Sequence, residues 1–326
     1  MEIHIILPPA ANFALGLFSL NQLLNIKNNL RKKRIENFAQ KIEMSPPKEP
    51  QVLKKKRTYT RKTKKMTPML LKTKNAHPND CLIKFDEKPH IYYVNGLAID
   101  SSVTTFIHKK FPKFNADKVA DMMVKKHFDN DKSMYYKMTA DDIKKSWRES
   151  GISASTAGTG LHSAIEYYYN EIEDQIKPEY KNCIEWTYFQ NFLKDYPTLK
   201  AYRTEWEIFD TELNLAGSVD MVFKDENDEY WIYDWKRSKE IKTQNDFENG
   251  FAPFEHLPNA NYWHYALQLN VYKRILETKY NTPIKGMCLI VLHENHKNYM
   301  RYELPELSDE VTALFEERQS IIKKNE

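Results

Sequence analysis

The sequence predicts an α/β fold, because segments with the period of a helix alternate with segments whose polarity changes at every second residue. The clearest β pattern is a run of three segments, Tyr202–Phe209, Leu215–Phe223 and Tyr230–Lys236, which are separated by polar turns. Helical patterns stand before and after this run. With 326 residues, 41% of them hydrophobic, the chain can bury a substantial core.

Charge is distributed unevenly along the chain. Residues 1–75 carry 17 Lys and Arg against 4 Asp and Glu, whereas the remainder carries 32 basic and 41 acidic residues. We predict that residues 1–77 are a largely disordered basic arm and linker, since the stretch 41–77 has few large apolar residues to bury. The basic run 54–65 is typical of nuclear import or of phosphate contact, and equally of a solvated tail.

Three further observations indicate an intracellular protein that does not cross a membrane. Cys81, Cys183 and Cys288 are far apart, so neither a disulfide framework nor a cysteine metal site is indicated. No run approaches the roughly 18 apolar residues of a membrane span. The basic run 54–65 favours the nucleus, and the acid-poor stretch 10–34 leaves the mitochondrion as the alternative.

The predicted body, residues 78–326, begins with a β-hairpin and a series of helices. Segment Cys81–Val94 and the Asn95-Gly96 turn predict the hairpin. Helices are predicted over Asn115–His127, from the capping box at Thr139, over Thr156–Ile172 after a small-residue loop at Ser153–Gly158, and over Glu179–Asp195. We divide the body into this N-terminal part, 78–152, and a catalytic core, 153–326.

The C-terminal part of the body returns to an alternation of strands and helices. The three β segments that open it are close enough in sequence to form an antiparallel meander. Beyond them the pattern predicts a helix over Asn261–Thr278, strands at Met287–His293 and Tyr299–Leu304, and a final helix from Ser308.

Two neighbouring predicted strands each contain an aspartate at a position where the hydrophobic pattern would lead us to expect an apolar residue. Asp220 follows the apolar run from Leu215, and Asp234 follows the run from Tyr230. A buried carboxylate is costly unless it is paired or bound to a metal. Because side chains alternate along a strand, Asp234 and Lys236 share one face, and a suitable register brings Asp220 beside them.

Two acids and one amine at a single point indicate a metal-assisted hydrolase. Carboxylate oxygens suit Mg²⁺ or Mn²⁺, which polarise a phosphoryl oxygen and lower the pKa of a bound water. Lys236 is then placed to orient the attacking water and to offset negative charge at phosphorus. A surface salt bridge is the plainer explanation of a D-x-K tripeptide.

Two neighbouring elements offer further ligands. Glu205 and Glu207 share one face of the first strand, and we favour Glu205. His162 and Glu166 lie four residues apart on one helix face, an arrangement that is also common as a simple surface pair.

Four motifs, taken together, resemble those of a nuclease family. They are Gly158-Thr-Gly-Leu-His162 with Glu166, Ala216-Gly-Ser-Val-Asp220, Asp234-Trp-Lys236 and Gln268-Leu-Asn-Val-Tyr272. In this order they resemble the PD-(D/E)XK nuclease superfamily, and in particular its RecB-like exonuclease branch. That branch includes a mitochondrial genome maintenance exonuclease and nucleases of phages and large DNA viruses.

The resemblance implies a restriction-endonuclease-like core, a mixed central β-sheet flanked by helices. It implies metal ligation by His162, Asp220 and Asp234, and catalysis by Lys236. It also implies that Gln268, and with less support Tyr272, contacts DNA or the catalytic lysine. Some members of the branch carry a four-cysteine iron–sulfur cluster, which the three scattered cysteines here cannot form.

The leading hypothesis is therefore a Mg²⁺- or Mn²⁺-dependent nuclease that acts on DNA, single-stranded or with free ends, as an exonuclease or end-processing enzyme. Replication, repair and recombination are the expected settings, and a replication protein or a helicase is the kind of partner considered. A structure-specific or restriction-like endonuclease is one alternative. A catalytically silent DNA-binding module of the same fold is the other, and it predicts steeply salt-dependent binding without cleavage.

Overall fold

The computed structural model describes residues 68–325, so the predicted arm up to residue 67, with its basic run 54–65, lies outside the described residues. The helices are α1 (Leu71–Lys74), α2 (Val103–His108), α3 (Ala116–His127), α4 (Ala140–Tyr169), α5 (Pro178–Lys181), α6 (Ile184–Asp195), α7 (Asn261–Lys279) and α8 (Ser308–Asn325). The strands are β1 (Ile83–Asp86), β2 (Ile91–Val94), β3 (Leu97–Ala98), β4 (Ser101–Ser102), β5 (Lys200–Asp210), β6 (Leu215–Lys224), β7 (Tyr230–Lys236), β8 (Ile284–Val291) and β9 (Met300–Glu303). Single 3-10 turns lie at Pro78–Cys81 and Glu173–Gln175.

The central sheet is mixed, with β6 as its organising strand. β5 pairs antiparallel along one edge of β6, while β4 and β7 share the other edge. β7 then pairs parallel with β8, and β8 antiparallel with β9. The predicted antiparallel meander of β5, β6 and β7 is therefore confirmed. Strands β1 to β3 form a separate small antiparallel sheet that contains the predicted hairpin.

Helices cover both faces of the central sheet. Helix α7 connects β7 to its parallel neighbour β8, as a parallel pair requires, and packs on one face. The core on that face includes Val222, Ile232, Leu267, Leu269, Val271 and Leu289. On the opposite face α4 and α6 pack against the sheet through Leu161, Ile165, Phe189, Phe192, Tyr233 and Trp235. The predicted α/β fold, a mixed central sheet flanked by helices, is confirmed.

Helix α4 corrects one prediction, because Ser153–Gly158 is not a loop but the middle of a continuous helix of 30 residues. The predicted capping box is present at its start, where Thr139 and Asp142 cap each other. A glycine in a helix costs only about 1 kcal/mol and Ser or Thr less, so a short small-residue stretch does not end a helix held at both ends. Lys144 pairs with Asp117 of α3 at one end, and Leu161 is buried at the other.

Two more boundaries differ from prediction. The ordered chain begins before residue 78, because Leu71 is buried and the Asn75 side chain donates to the Tyr202 carbonyl oxygen at 2.7 Å. One buried leucine and local hydrogen bonds thus outweigh the lysine-rich composition. The predicted helix Glu179–Asp195 is divided, since Cys183 is extended between α5 and α6. Within residues 68–325 no helix combines the length and apolar composition needed to cross a membrane.

Two glycines of α4 offer a matched test of its packing. A Cβ at Gly160 would lie 1.8 Å from Cζ of Tyr180 in α5, whereas a Cβ at Gly158 meets nothing within 4 Å. Gly158→Ala should therefore stabilise the protein by about 0.5–1 kcal/mol through helix propensity. Gly160→Ala must displace the Tyr180 ring and should be less stable than Gly158→Ala by about 1 kcal/mol or more. Urea unfolding of both variants measures this, and equal midpoints would contradict the close packing.

Candidate metal centre

The candidate site lies where β6 and β7 separate. Their pairing ends at Met221 and Tyr233, so the next residues, Asp220 and Asp234, face each other at the fork. β7 continues its pairing with β8 through Lys236. One hydrogen bond still spans the fork, since the Trp235 N–H donates to Asp220 Oδ2 at 3.0 Å. The expected juxtaposition of the two acids is present.

Helix α4 and strand β5 complete a three-ligand pocket around Asp220. Nδ1 of His162 lies 3.5 Å from Asp220 Oδ2 and 3.8 Å from Glu205 Oε1. One ligand atom from each of the three residues lies within 4.8 Å of the others. Glu205 stands opposite Asp220 across β5 and β6, because Thr204 pairs with Met221 and Trp206 with Val219. The structure thus brings Glu205 to the pocket, as the sequence analysis favoured.

Asp234 and Lys236 form a buried ion pair on the other side of the fork. Lys236 Nζ lies 2.6 Å from Asp234 Oδ2, and the Asp234 side chain is 3% exposed. Trp235 points to the opposite face and packs in the aromatic core beside Phe189 and Phe192. The charge of Asp234 is therefore held against the Lys236 ammonium group inside the protein.

Burial and mutual repulsion make the acids weaker. Burial raises the pKa of Asp234 to about 6, with a further contribution from the Asp220 charge and despite the opposing Lys236 charge. Burial also raises the pKa of Asp220, against the charges of His162 and Lys236. On α4, burial and the charge of Glu205 raise the pKa of Glu166 to about 7. All three carboxyl groups therefore ionise less readily than they would in water.

The neighbouring carboxylates also raise the pKa values of the two cationic groups. Burial lowers the pKa of His162, but the Asp220 charge and the contact with Glu205 outweigh it, and the result is about 9. Burial likewise opposes the charge on Lys236, but Asp234 and Asp220 raise its pKa above the ordinary value. Both side chains are therefore protonated at neutral pH in the metal-free protein.

These donors fit a divalent cation. Carboxylate oxygens and an imidazole nitrogen suit Mg²⁺ or Mn²⁺, and one ligand atom from each of His162, Glu205 and Asp220 lies within 4.8 Å of the others. His162, Glu205 and Asp220 would hold the ion, with Asp234 beside them. Its charge would offset the burial, and the repulsion between carboxylates, that raise both aspartate pKa values.

The other predicted residues lie around this pocket in different ways. Gln268 donates from Nε2 to Tyr272 Oη at 3.0 Å and to Thr104 Oγ1 at 3.2 Å. Tyr272 is buried, and its ring lies against Gly217 of β6, where a Cβ would be 2.6 Å from the tyrosine Cε1. Tyr272 therefore supports Gln268 and strand β6 from the core. Gln268 itself is half-buried. Glu166 is half-buried and is not among the three clustered ligands.

Three residues at the site were not singled out from the sequence. Ser218 donates to Glu205 Oε2 at 3.0 Å, and its spacing of two from Asp220 on one strand face was a usable signal. The Tyr265 ring centroid lies 5.0 Å from Lys236 Nζ, and its spacing of three from Gln268 on α7 was another. Thr104 gave no signal, because it is 164 residues from Gln268.

Comparison with known proteins agrees with this geometry. A family model described as the PD-(D/E)XK nuclease superfamily matches residues 134–324, a range that contains the predicted site residues from His162 to Tyr272. No curated protein sequence matches the chain significantly.

Two solved structures are similar to parts of the chain. The structure of SSO0001 has 15% identity and a TM-score of 0.23, covering 51% of this chain and 72% of that one. The structure of a protein described as a putative exonuclease from Eubacterium rectale has 10% identity and a TM-score of 0.32, covering 52% of this chain. The match spans 65% of the Eubacterium rectale chain, slightly less than two thirds of its length.

Asp234→Asn should stabilise the metal-free protein at neutral pH. The folded pKa of about 6 exceeds the ordinary 3.8, so the folded state favours the protonated acid. That contribution is complete below about pH 4 and is lost as the pH rises through about 6. At pH 7.5 the variant should gain on the order of 1 kcal/mol, and at pH 4 much less. Urea unfolding in EDTA at both values measures this, with the exposed Asp246→Asn as control. A loss of stability at pH 7.5 would show that burial does not raise the pKa of Asp234 in the folded protein.

Metal affinity should rise with pH because an ion must displace the His162 proton. With a pKa of about 9, each pH unit below 9 should weaken Mn²⁺ binding by up to about tenfold. Calorimetric titrations at pH 7 and 8, in buffers with different ionisation enthalpies, would detect the released proton. His162→Asn should bind more weakly and release less. Identical proton release by the variant and the wild type would show that His162 does not ligate the ion.

Proposed function

Because the chain belongs to the PD-(D/E)XK nuclease superfamily, we propose that it is a Mg²⁺- or Mn²⁺-dependent deoxyribonuclease that works from DNA ends. Members of this superfamily use divalent metals, and the chain has a candidate ligand cluster for one. The observation that carries the proposal is the convergence of Asp220, Asp234 and Lys236 at one strand fork. A surface salt bridge is a poor account of it, since Asp234 is 2% exposed.

Each residue has a distinct part in this proposal. His162, Glu205, Asp220 and Asp234 hold the divalent ion, which when bound supplies Lewis-acid polarisation and a more acidic water. Asp234 also keeps Lys236 at the pocket through their ion pair. Asp234 and Asp220 raise the pKa of Lys236 in the metal-free protein, and the protonated Nζ is the group that donates to the water or the phosphate and offsets charge that develops at phosphorus.

The neighbouring residues orient this machinery. Ser218 fixes one oxygen of Glu205, and the Tyr265 ring lies over the Lys236 ammonium group. Gln268, which is half-buried above Tyr272, is the side chain that we assign to substrate contact. Tyr272 has a supporting role because it is buried.

The finer assignment follows from the four motifs and their order. They support the RecB-like exonuclease branch, and with it a single-stranded or flapped substrate and a setting in replication, repair or recombination. A division of the body into residues 78–152 and 153–326 is part of the same proposal, with helix α4 running across the boundary at residue 153. A nuclear location directed by residues 54–65 belongs to it as well. A mitochondrial location is the alternative, and a helicase or replication protein is the kind of partner to seek.

Purified protein should cleave end-labelled single-stranded DNA with Mg²⁺ or Mn²⁺ and not with EDTA. Lys236→Ala and Asp234→Asn should each reduce the rate by at least about 10²–10³, since each removes a group that acts where charge develops. Lys285→Ala, which removes an exposed lysine at the start of β8, is the matched control and should retain wild-type activity.

The substrate panel separates the alternatives. Degradation of linear but not covalently closed circular DNA supports the proposed end dependence, whereas opening of the circle would make the protein an endonuclease. Steeply salt-dependent binding without cleavage under either metal would make it a silent DNA-binding module and refute the proposal.

A further inference from the structure

The segment Leu71–Cys81, which we call the strap, lies against β5 beside Glu205. Its Asp80 carboxylate accepts two hydrogen bonds from the Arg203 guanidinium, at 2.8 and 3.2 Å. A third Arg203 hydrogen bond reaches the Asn75 carbonyl oxygen at 3.0 Å. Arg203 is only 1% exposed, so this bidentate pair is a buried anchor.

Both neighbours of Glu205 in the chain are tied to the same region. Trp206 donates from Nε1 to Asp80 Oδ1 at 3.0 Å. Thr204 accepts a hydrogen bond from Asn170 Nδ2 at 3.0 Å, and Asn170 Oδ1 accepts from the Leu71 N–H at 2.8 Å. Asn170 thus joins the end of α4 to β5 and to the start of the strap.

The backbone between these anchors is unusual. Glu205 has a φ of 42°, in the left-handed region that a residue with a side chain enters only at a conformational cost. Arg203 and Trp206 are three residues apart and would lie on opposite faces of a regular strand, yet both reach Asp80. Glu205, with its left-handed backbone, lies between these two contacts with Asp80.

The strained conformation directs Glu205 into the pocket. Its Oε2 accepts from Ser218, and its Oε1 lies 3.8 Å from His162 Nδ1. A strained backbone conformation of this kind persists only where several surrounding contacts hold it in place. Around Glu205, the surroundings are the Arg203–Asp80 pair, the Trp206–Asp80 bond and the Asn170–Thr204 bond.

We propose that the strap is a positioning element of the metal pocket, which holds Glu205 in the backbone conformation that ligates the ion. The inference rests on the proposed function in one respect, that the pocket binds a divalent cation. Asp80, Asn75 and Leu71 do not touch the ion. Loss of their contacts lets the strand relax at Glu205, so the pocket loses a preorganised ligand and binds the ion more weakly.

The test compares Asp80→Asn with Asp100→Asn in the full chain. Both substitutions neutralise an acid that pairs with a buried arginine, since Asp100 accepts from Arg318 of α8 at 3.2 Å. Mn²⁺ binding is followed by calorimetry, and thermal unfolding is recorded in EDTA. Asp80→Asn should weaken Mn²⁺ binding by about tenfold or more, as loss of groups that orient ligands does elsewhere. Asp100→Asn should stay within about twofold of wild type.

A second variant covers the case in which Asp80→Asn does not fold. Thr204→Val retains the branched shape but loses the hydroxyl that accepts from Asn170, and it should weaken Mn²⁺ binding by a few-fold. At saturating Mn²⁺ either variant should recover most of its kcat for DNA cleavage, because no catalytic residue is changed.

The outcomes separate the two proposals. If the wild type binds no divalent ion, the proposed function fails and the strap inference fails with it. If the wild type binds Mn²⁺ and folded Asp80→Asn or Thr204→Val binds it equally well, the strap only stabilises the fold and the inference alone is overturned.

Discussion

The separation of β6 from β7 after Met221 and Tyr233 is the constraint around which the rest of the molecule is arranged. Because β7 stays paired with β8, Asp234 cannot turn to solvent, and Asp220 faces it across the fork. Two carboxylates held together in a buried place repel each other and resist ionisation. The pocket therefore concentrates unfavourable electrostatic energy, which the hydrophobic cores on both faces of the sheet must offset.

The parts of the fold and site that could be predicted from the sequence depend on local signals. β5, β6 and β7 have a period of two and polar turns, and the pairing of neighbours along the chain follows from their short connections. The placement of Asp220 and Asp234 was predictable because a carboxylate at the end of an apolar run in a strand is costly to bury unless it is paired or binds a metal. Lys236 then followed from the alternation of strand side chains.

The parts that could not be predicted depend on contacts between distant residues or on competition between weak preferences. Asn170 and Thr204 gave no signal, because their importance arises only when α4, β5 and the strap meet. The first part of the strap, residues 71–77, was assigned to the linker on its composition, because composition does not reveal hydrogen bonds such as those of Leu71 with Asn170 and of Asn75 with Tyr202. The left-handed backbone of Glu205 has no counterpart in the residue pattern, since glutamate rarely adopts it.

Helix α4 has a mechanical property that follows from how it is buried. Its buried residues are Ile143 near one end and Leu161, Ala164 and Ile165 near the other, so none lies between them. The middle of that span, residues 148–156, is exposed, and the span contains the small residues of Ser153–Gly158 together with Gly151, whose helix propensity is low. The helix is about 45 Å long, and this span is its most compliant section. Any bending of α4 is therefore expected in this section, whereas His162 lies beyond it, next to the buried residues that pack on the sheet.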